Sequence, residues 1–363
     1  MMFLALNAGS SSLKFRISEP DRQPRFAGLA QGFGGPAARL EIRNAAGQSV
    51  GCTPCTALHD AAHATLEFAR AQVPDLSGIG HRIVHGGSRI QAHCRIDKTV
   101  RRALEEASAM AALHNPPALD VLDLAQQVFA ELPQFACLDT AFHARLPAVA
   151  ARFPLPADRL GEGVRRYGFH GLSCESVLDQ LDPVPPRLVI AHLGSGASVT
   201  AVRDGRSVDT SMGLTPDGGV IMETRSGDLD PGLLIYLLRR GETADSLEQL
   251  VSRKSGIAGI SGVGGDPRQV RAAAGEAARL ALEMFAISIA KTIAGMAAVL
   301  GGIDLLVFTG GIGEHDADMR ESILARLAWM GKLPVTIVPA QEEAMIVRHC
   351  AQLAATGSPP PSP

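Results

Sequence analysis

Two stretches far apart in this chain carry the same short pattern, and that repetition limits the fold more than any other feature. Phe3 to Leu6 is an apolar run, Asn7-Ala8-Gly9-Ser10-Ser11-Ser12 is a small polar turn, and Leu13 to Ile17 is strand-like again. Leu188 to Ala191, His192-Leu193-Gly194-Ser195-Gly196-Ala197-Ser198 and Val199 to Val202 repeat that order. Each reads as strand, glycine–serine turn, strand. Downstream of each copy, Ile79 to Gly87 and Leu305 to Gly311 run from apolar residues into paired glycines. Two copies of one α/β unit, facing each other, account for all four segments.

A chain of 363 residues is long enough for two domains sharing a cleft. With 46% apolar and 20% charged residues it is globular rather than disordered. A net charge of −3 gives no electrostatic reason to bind nucleic acid or an anionic membrane, so any working cations must be local to one site. Six scattered cysteines do not suggest a disulfide framework. The apolar start turns polar at Asn7, too soon for a signal-peptide core. The apolar helix around Leu280 to Leu300 is interrupted by Glu283 and Lys291, and reads as buried rather than membrane-spanning. The expectation is a soluble, reduced, cytoplasmic protein.

Helix starts are legible in places. Asp230 followed by Pro231 is an N-cap with proline at the first helical position, and Arg239, Arg240 and Gly241 mark the other end. Asp266-Pro267 opens a second helix in the same way. Residues 155–163 and 182–186 read as proline-rich loops, and 356–363 as a disordered tail.

Glycine-rich turns directly after strands suggest phosphate cradling, because their backbone N–H groups are unobstructed. Three such turns occur: Asn7 to Ser12 with Lys14 beyond it, His192 to Gly196, and Gly310-Gly311-Ile312-Gly313-Glu314. None is a Walker P-loop; the pair Gly331-Lys332 lacks the upstream glycine and the following Ser/Thr.

At Asn7-Ala8-Gly9-Ser10-Ser11-Ser12-Leu13-Lys14-Phe15 the chain resembles the opening signature of the acetate kinase family. Met212-Gly213-Leu214-Thr215-Pro216 through Thr224-Arg225-Ser226-Gly227-Asp228-Leu229-Asp230-Pro231 resembles its second signature. Gly80 to Gly87, Leu113 to Pro117, Asp139 to His143, Tyr167 to Gly171 and Thr309 to Glu314 match in order, so the likeness runs from about residue 3 to 350. It implies an α/β fold of two duplicated actin-like ATPase domains with a cleft between them. Residues 1–138 plus 344–355 would form the first domain and 139–343 the second, nucleotide-binding one.

The implied reaction is reversible, direct in-line phosphoryl transfer from ATP to acetate, giving ADP and acetyl phosphate. Mg²⁺, with Mn²⁺ as a substitute, would assist, and the enzyme would be a homodimer. Two anions repel as they meet, so such a site needs cations and N–H donors; a carboxylate with a pKa of about 4 needs no general base. The resemblance assigns Asn7 and Glu342 to the metal, and Asp139, His170 and Arg225 to catalysis. Asp139 would fix a catalytic arginine or position substrate, and Arg82 and Arg225 would clamp the two anions. Val84, Leu113, Phe169 and Pro216 would line the methyl pocket beside Arg82. Lys14, His192, Leu193, Gly194, Ser195, Gly196, Asp266, Pro267, Arg268, Gly311, Ile312, Gly313, Glu314 and His315 would contact the nucleotide. A propionate kinase, or a catalytically impaired nucleotide- or carboxylate-binding relative, is the alternative.

The chain also departs from the family pattern. Ser195 and Gln341 stand where asparagine is usual, and Asp217-Gly218-Gly219 replaces Leu-Glu-Gly. Glu223 replaces a glycine, where it could pair with Arg225 and weaken its hold on phosphate, or equally point outward or be compensated by the backbone. The segment from Leu327 to Val338 is shorter than in relatives, which trims an edge of the second domain. Cys52, Cys55, His59 and His63 offer four metal ligands at a spacing unlike zinc fingers, and incidental thiols are the default reading.

Overall fold

The structure, a computed structural model, describes residues 1–9, 12–35, 38–111 and 113–356. Ser10 and Ser11 of the first turn, and residues 357–363 of the expected tail, lie outside the described residues.

The chain forms two compact units, Met1–Ala144 with Gln341–Pro363, and Arg145–Ala340. The first holds β1 (Met2–Ala8), β2 (Ser12–Ser18), β3 (Phe26–Gln31), β4 (Arg39–Asn44), β5 (Ser49–Pro54), β6 (Leu76–Ile83), β7 (Cys94–Arg95) and β8 (Gln134–Leu138). These lie in the order β5-β4-β3-β2-β1-β6-β8-β7, with helices α1 (Leu58–Gln72), α2 (Lys98–Ala107) and α3 (Asn115–Val128).

The second unit begins with α4 (Ala148–Ala151) and α5 (Gly171–Asp179). Its sheet contains β9 (Arg187–Leu193), β10 (Ala197–Arg203), β11 (Arg206–Thr210), β12 (Leu305–Thr309) and β13 (Val335–Ile337), ordered β11-β10-β9-β12-β13. Between β11 and β12 run α6 (Pro231–Arg239), α7 (Ala244–Arg253), α8 (Gly256–Ser261), α9 (Pro267–Ala273) and α10 (Glu276–Leu300). Next come α11 (Gly310–His315) and α12 (Ala317–Arg326), and the chain ends in α13 (Glu342–Thr356), which belongs to the first unit.

The repeated sequence pattern has a structural counterpart. In the first unit β1 pairs antiparallel with β2 and parallel with β6, β2 pairs antiparallel with β3, and β6 pairs parallel with β8. The same senses recur for β9 with β10 and β12, β10 with β11, and β12 with β13. The run β3-β2-β1-β6-β8 is therefore repeated as β11-β10-β9-β12-β13.

Alternation along β1 sorts its side chains. Leu4, Leu6 and Ala8 enter a core with Ala61, Ala62 and Leu66 of α1, while Asn7 bonds to the start of α13. Gly80 of β6 makes room for that helix: a Cβ there would come 2.4 Å from both Cys350 Sγ and Ile346 Cγ2. In the second unit α10 packs on β9 and β10, with Phe285, Ile289 and Ile293 fully buried.

Several expectations shift. Asp139 and Glu342 fall in the first unit rather than the second. The Asp139 N–H donates to Ile83 O, and Glu342 opens the helix packed on β1, β2 and β6. Thr356 ends α13 instead of starting the tail. The helix expected to be buried is buried on one face only: Leu280, Met284 and Ile287 of α10, at i, i+4, i+7 spacing, are exposed. It is long and apolar enough to cross a membrane by length and composition. The shortened segment ends in β13, a three-residue edge strand.

Candidate active site

In the first unit the residues of interest gather where β1, β6 and β8 end beneath the N-terminus of α13. Arg82 Nε donates to Asp139 Oδ1 at 3.1 Å and Nη2 to Oδ2 at 2.5 Å, while Nη1 reaches Asn7 Oδ1 at 3.3 Å. Asn7 Nδ2 donates to Glu342 Oε2 at 2.9 Å and to Glu343 Oε1 at 2.7 Å. Burial opposes the Arg82 charge, but Asp139 and then Glu342 outweigh it and hold the guanidinium above its ordinary value. Lys14 sits opposite Asn7 in the β1–β2 register, exposed to solvent.

The segment after β6 is fixed by Asn115, whose amide accepts from His85 N at 3.0 Å and donates to His85 O at 2.8 Å. Buried Val84 and half-buried Leu113 lie on the two stretches that Asn115 ties together.

In the second unit the turn Gly194–Gly196 is the centre. Gly194 N donates to Gly196 O at 3.0 Å. A Cβ added to Gly196 would lie 3.1 Å from Arg225 Nη1 and 3.2 Å from His170 Nε2, so these two groups close over the glycine from the same side and leave little room for a side chain there. His170 Nδ1 is 3.0 Å from Ser198 Oγ, and its ring stacks on His192 with centroids 4.1 Å apart. His192 Nδ1 is 2.7 Å from Ser173 Oγ. His170 adopts φ 57°, a left-handed conformation unusual for a non-glycine residue, at the start of α5.

The other nucleotide candidates divide. Gly311 joins the turn, its N lying 3.9 Å from a Cβ on Gly194. Gly310 has φ +77° against the Leu193 backbone, which no side chain would allow. Leu193 is buried, so only its backbone is available to a ligand. Glu314 Oε1 accepts from Gly310 N and Ala340 N, each at 3.0 Å, holding its own turn. Ile312 is half-buried, Gly313 buried and His315 exposed at the end of α11. Asp266 caps α9, where Pro267 is buried, and takes Arg268 Nε at 3.1 Å and Nη2 at 2.8 Å. Phe169 and Pro216 are buried, and Pro216 O accepts from Arg225 Nη1 at 3.1 Å.

A model of the acetokinase family matches residues 2–336. The chain belongs to the acetokinase family. Acetate kinase of Rhodopseudomonas palustris is 38% identical over 394 residues, covering 98% of this chain and 99% of its own. The crystal structure of Porphyromonas gingivalis acetate kinase superposes with a TM-score of 0.84 at 32% identity, covering 97% of this chain and 99% of that one. A propionate kinase structure from Francisella tularensis gives 0.89 at 32% identity, covering 96% and 98%. The mixed α/β fold with two duplicated sheets is the actin-like fold of this family.

The residues fit the substrates and metal that acetokinase chemistry uses. Glu342 and Glu343 offer carboxylate oxygens of the kind Mg²⁺ prefers; Asn7 turns its Nδ2 to both and its Oδ1 to Arg82 Nη1, so its amide would have to turn over to add a third oxygen. A guanidinium and an imidazole that approach the same glycine, Arg225 Nη1 and His170 Nε2 beside Gly196, suit a phosphoryl oxygen.

Of the two readings open for Glu223, pairing with Arg225 is not the one the structure adopts. Arg225 Nε instead faces Asp217 Oδ1 at 3.6 Å. The Glu223 backbone is held by Ser195 O and Ala258 N, and Gly265 packs against it. Burial, then the Asp266 carboxylate, push the Glu223 carboxyl above its ordinary value against the pull of Arg268 and Arg225. Sequence reasoning missed Glu343, Ser173, Ser198 and the Asp217 contact. Glu343 carried a usable signal, a second acid in the first turn of a helix.

Proposed function

We propose that the protein phosphorylates acetate with ATP, reversibly, giving acetyl phosphate and ADP by direct in-line transfer. The observation that carries this reading is the convergence of Arg225 Nη1 and His170 Nε2 beside Gly196, in a chain of the acetokinase family. Arg225 and His170 would stabilise charge on the phosphoryl group in transit, and backbone N–H groups of the Gly194 and Gly311 turns would hold the nucleotide phosphates. Arg82, fixed by Asp139, would bind the carboxylate through its remaining N–H groups. Asn7, Glu342 and Glu343 would hold Mg²⁺, which when bound neutralises phosphate charge. Val84, Leu113, Phe169 and Pro216 would form a pocket for one methyl group.

Two features support further parts of the reading. The exposed apolar residues Leu233, Ile235, Tyr236 and Leu238 of α6, with Leu280, Met284 and Ile287 of α10, suit a homodimer contact. Six free cysteines suit a reducing cytoplasmic setting.

A hydroxamate assay with ATP, Mg²⁺ and acetate tests the activity. Product well above that of Arg225→Ala is expected; no product above that control sinks the proposal. Propionate is the second reading, favoured by the Francisella structure's similarity. A pocket this selective is worth only about 1–3 kcal/mol per methylene, so the kcat/KM ratio for the two acids decides it.

A further inference from the structure

One helix end governs both the backbone and the head group of Arg225. The C-terminal turn of α7 contributes Ser252 O, which accepts from Thr224 Oγ1 at 3.1 Å, and Val251 O, which accepts from Ser226 N at 2.8 Å. The residues on either side of Arg225 are thereby tied to α7. Ser252 Oγ then donates at 3.0 Å to Asp217 Oδ2. Ser252 is 4% exposed, so this contact is sheltered from water. Asp217 Oδ1, itself shut off from solvent and without a hydrogen-bond partner, faces Arg225 Nε at 3.6 Å. That separation is too long for a hydrogen bond but short for a partly buried ion pair.

A buried carboxylate oxygen without a donor is costly, and the facing Arg225 charge is what offsets it here. Pro216 O takes Nη1 from the same side, so residues 216 and 217 together present a carbonyl and a carboxylate to one guanidinium. This holds the Nε edge while Nη1 lies close over Gly196, beside His170 Nε2.

We propose that Asp217, braced by Ser252, is a positioning residue that sets the orientation of Arg225 for phosphoryl transfer. The proposal rests on the acetate kinase reading given above. It acts through the guanidinium and not through the substrates, so its loss affects the chemical step more than binding.

The experiment is a double-mutant cycle in steady-state kinetics, with thermal unfolding of every variant. In the otherwise unchanged protein, Asp217→Asn keeps the volume and the acceptor for Ser252 but removes the charge. It is expected to lower kcat by roughly 10- to 100-fold, the scale of a misplaced catalytic group, with KM for ATP and acetate within about twofold. In the Arg225→Lys background, which has no Nε edge to hold, that loss should disappear. Ser252→Ala, which leaves the charge in place, should lower kcat in the same direction by less. An equal loss in both backgrounds overturns the proposal, as does an Asp217→Asn protein with unchanged kcat, or one whose loss lies only in KM or in melting temperature. Absence of acetyl phosphate formation by the unaltered protein would instead sink the functional reading itself.

Discussion

Arg82 and Asp139 meet edge to edge, Nε to Oδ1 and Nη2 to Oδ2, with the carboxylate fully buried. Two parallel charge-assisted bonds fix the plane of the guanidinium as well as its position. Removing one partner of a buried pair strands the other. Asp139→Ala should therefore destabilise the protein by about 3–5 kcal/mol. Asp139→Asn, which keeps one acceptor, should cost less stability yet still lower kcat/KM for acetate. Urea unfolding and initial rates check both, and an Asp139→Ala protein as stable as its parent would contradict the pairing.

Gly196 offers a test that separates site from fold. Its backbone lies outside the left-handed region, so alanine brings no backbone strain. The new methyl would meet Arg225 Nη1 at 3.1 Å and His170 Nε2 at 3.2 Å, groups that Asp217, His192 and Ser198 hold and that must shift by a few tenths of an ångström. Gly196→Ala should cost on the order of 1 kcal/mol of stability while reducing kcat/KM on the order of 100-fold. Comparison of melting curves with progress curves decides it.

The sheet duplication was legible because strand–turn–strand patterning is local, and the N-caps at Asp230 and Asp266 were legible for the same reason. The motif Gly80 to Gly87 shows what sequence alone withholds. Gly80 is small for α13, His81 bonds Gln134, Arg82 pairs with Asp139 and His85 is clasped by Asn115. Each partner is distant in sequence, so spacing could not name it. Glu223 misled for a related reason. Two residues from Arg225 it could have been a partner, but Ile257 N donates to Met222 O and Ala258 N to Glu223 O, which fixes that stretch against α8. Asp217, eight residues away, takes the guanidinium instead.

His81 makes stability depend on pH. Burial lowers its pKa from 6.5 to about 4, against the opposing hydrogen bond to Gln134 Oε1 at 2.6 Å. The folded protein keeps the ring neutral where the unfolded chain protonates it. The contribution is thus present above pH 6.5 and is lost as pH falls from there towards 4, by about 2 kcal/mol between pH 7 and pH 5. His81 Nδ1 and Gln134 Nε2 both lack partners. Replacing His81 and Gln134 together by leucine should remove this slope at little cost, whereas His81→Leu alone strands the amide and costs about 1–3 kcal/mol. Urea titrations at the two pH values check this, and an undiminished slope in the double variant would assign it to another group.

In the proposed reaction Ser198 would act through His170. The stack on His192 fixes the plane of the His170 ring, and Ser198 Oγ, 3.0 Å from Nδ1, fixes its rotation within that plane. Nε2 then lies close over Gly196 beside Arg225 Nη1, and in the proposed reaction it would face a phosphoryl oxygen. A single hydrogen bond contributes about 1 kcal/mol net. Ser198→Ala should therefore lower kcat by roughly five- to tenfold, since about 1.4 kcal/mol corresponds to a factor of ten. Loss of His170 itself, as in His170→Asn, should cost about 10²–10³, the scale of one removed transition-state donor. If the hydroxyl works only by orienting the imidazole, adding Ser198→Ala to His170→Asn changes nothing further. Single-turnover rates of the four proteins measure this directly, and additive losses would mean that Ser198 acts on the site by a route of its own.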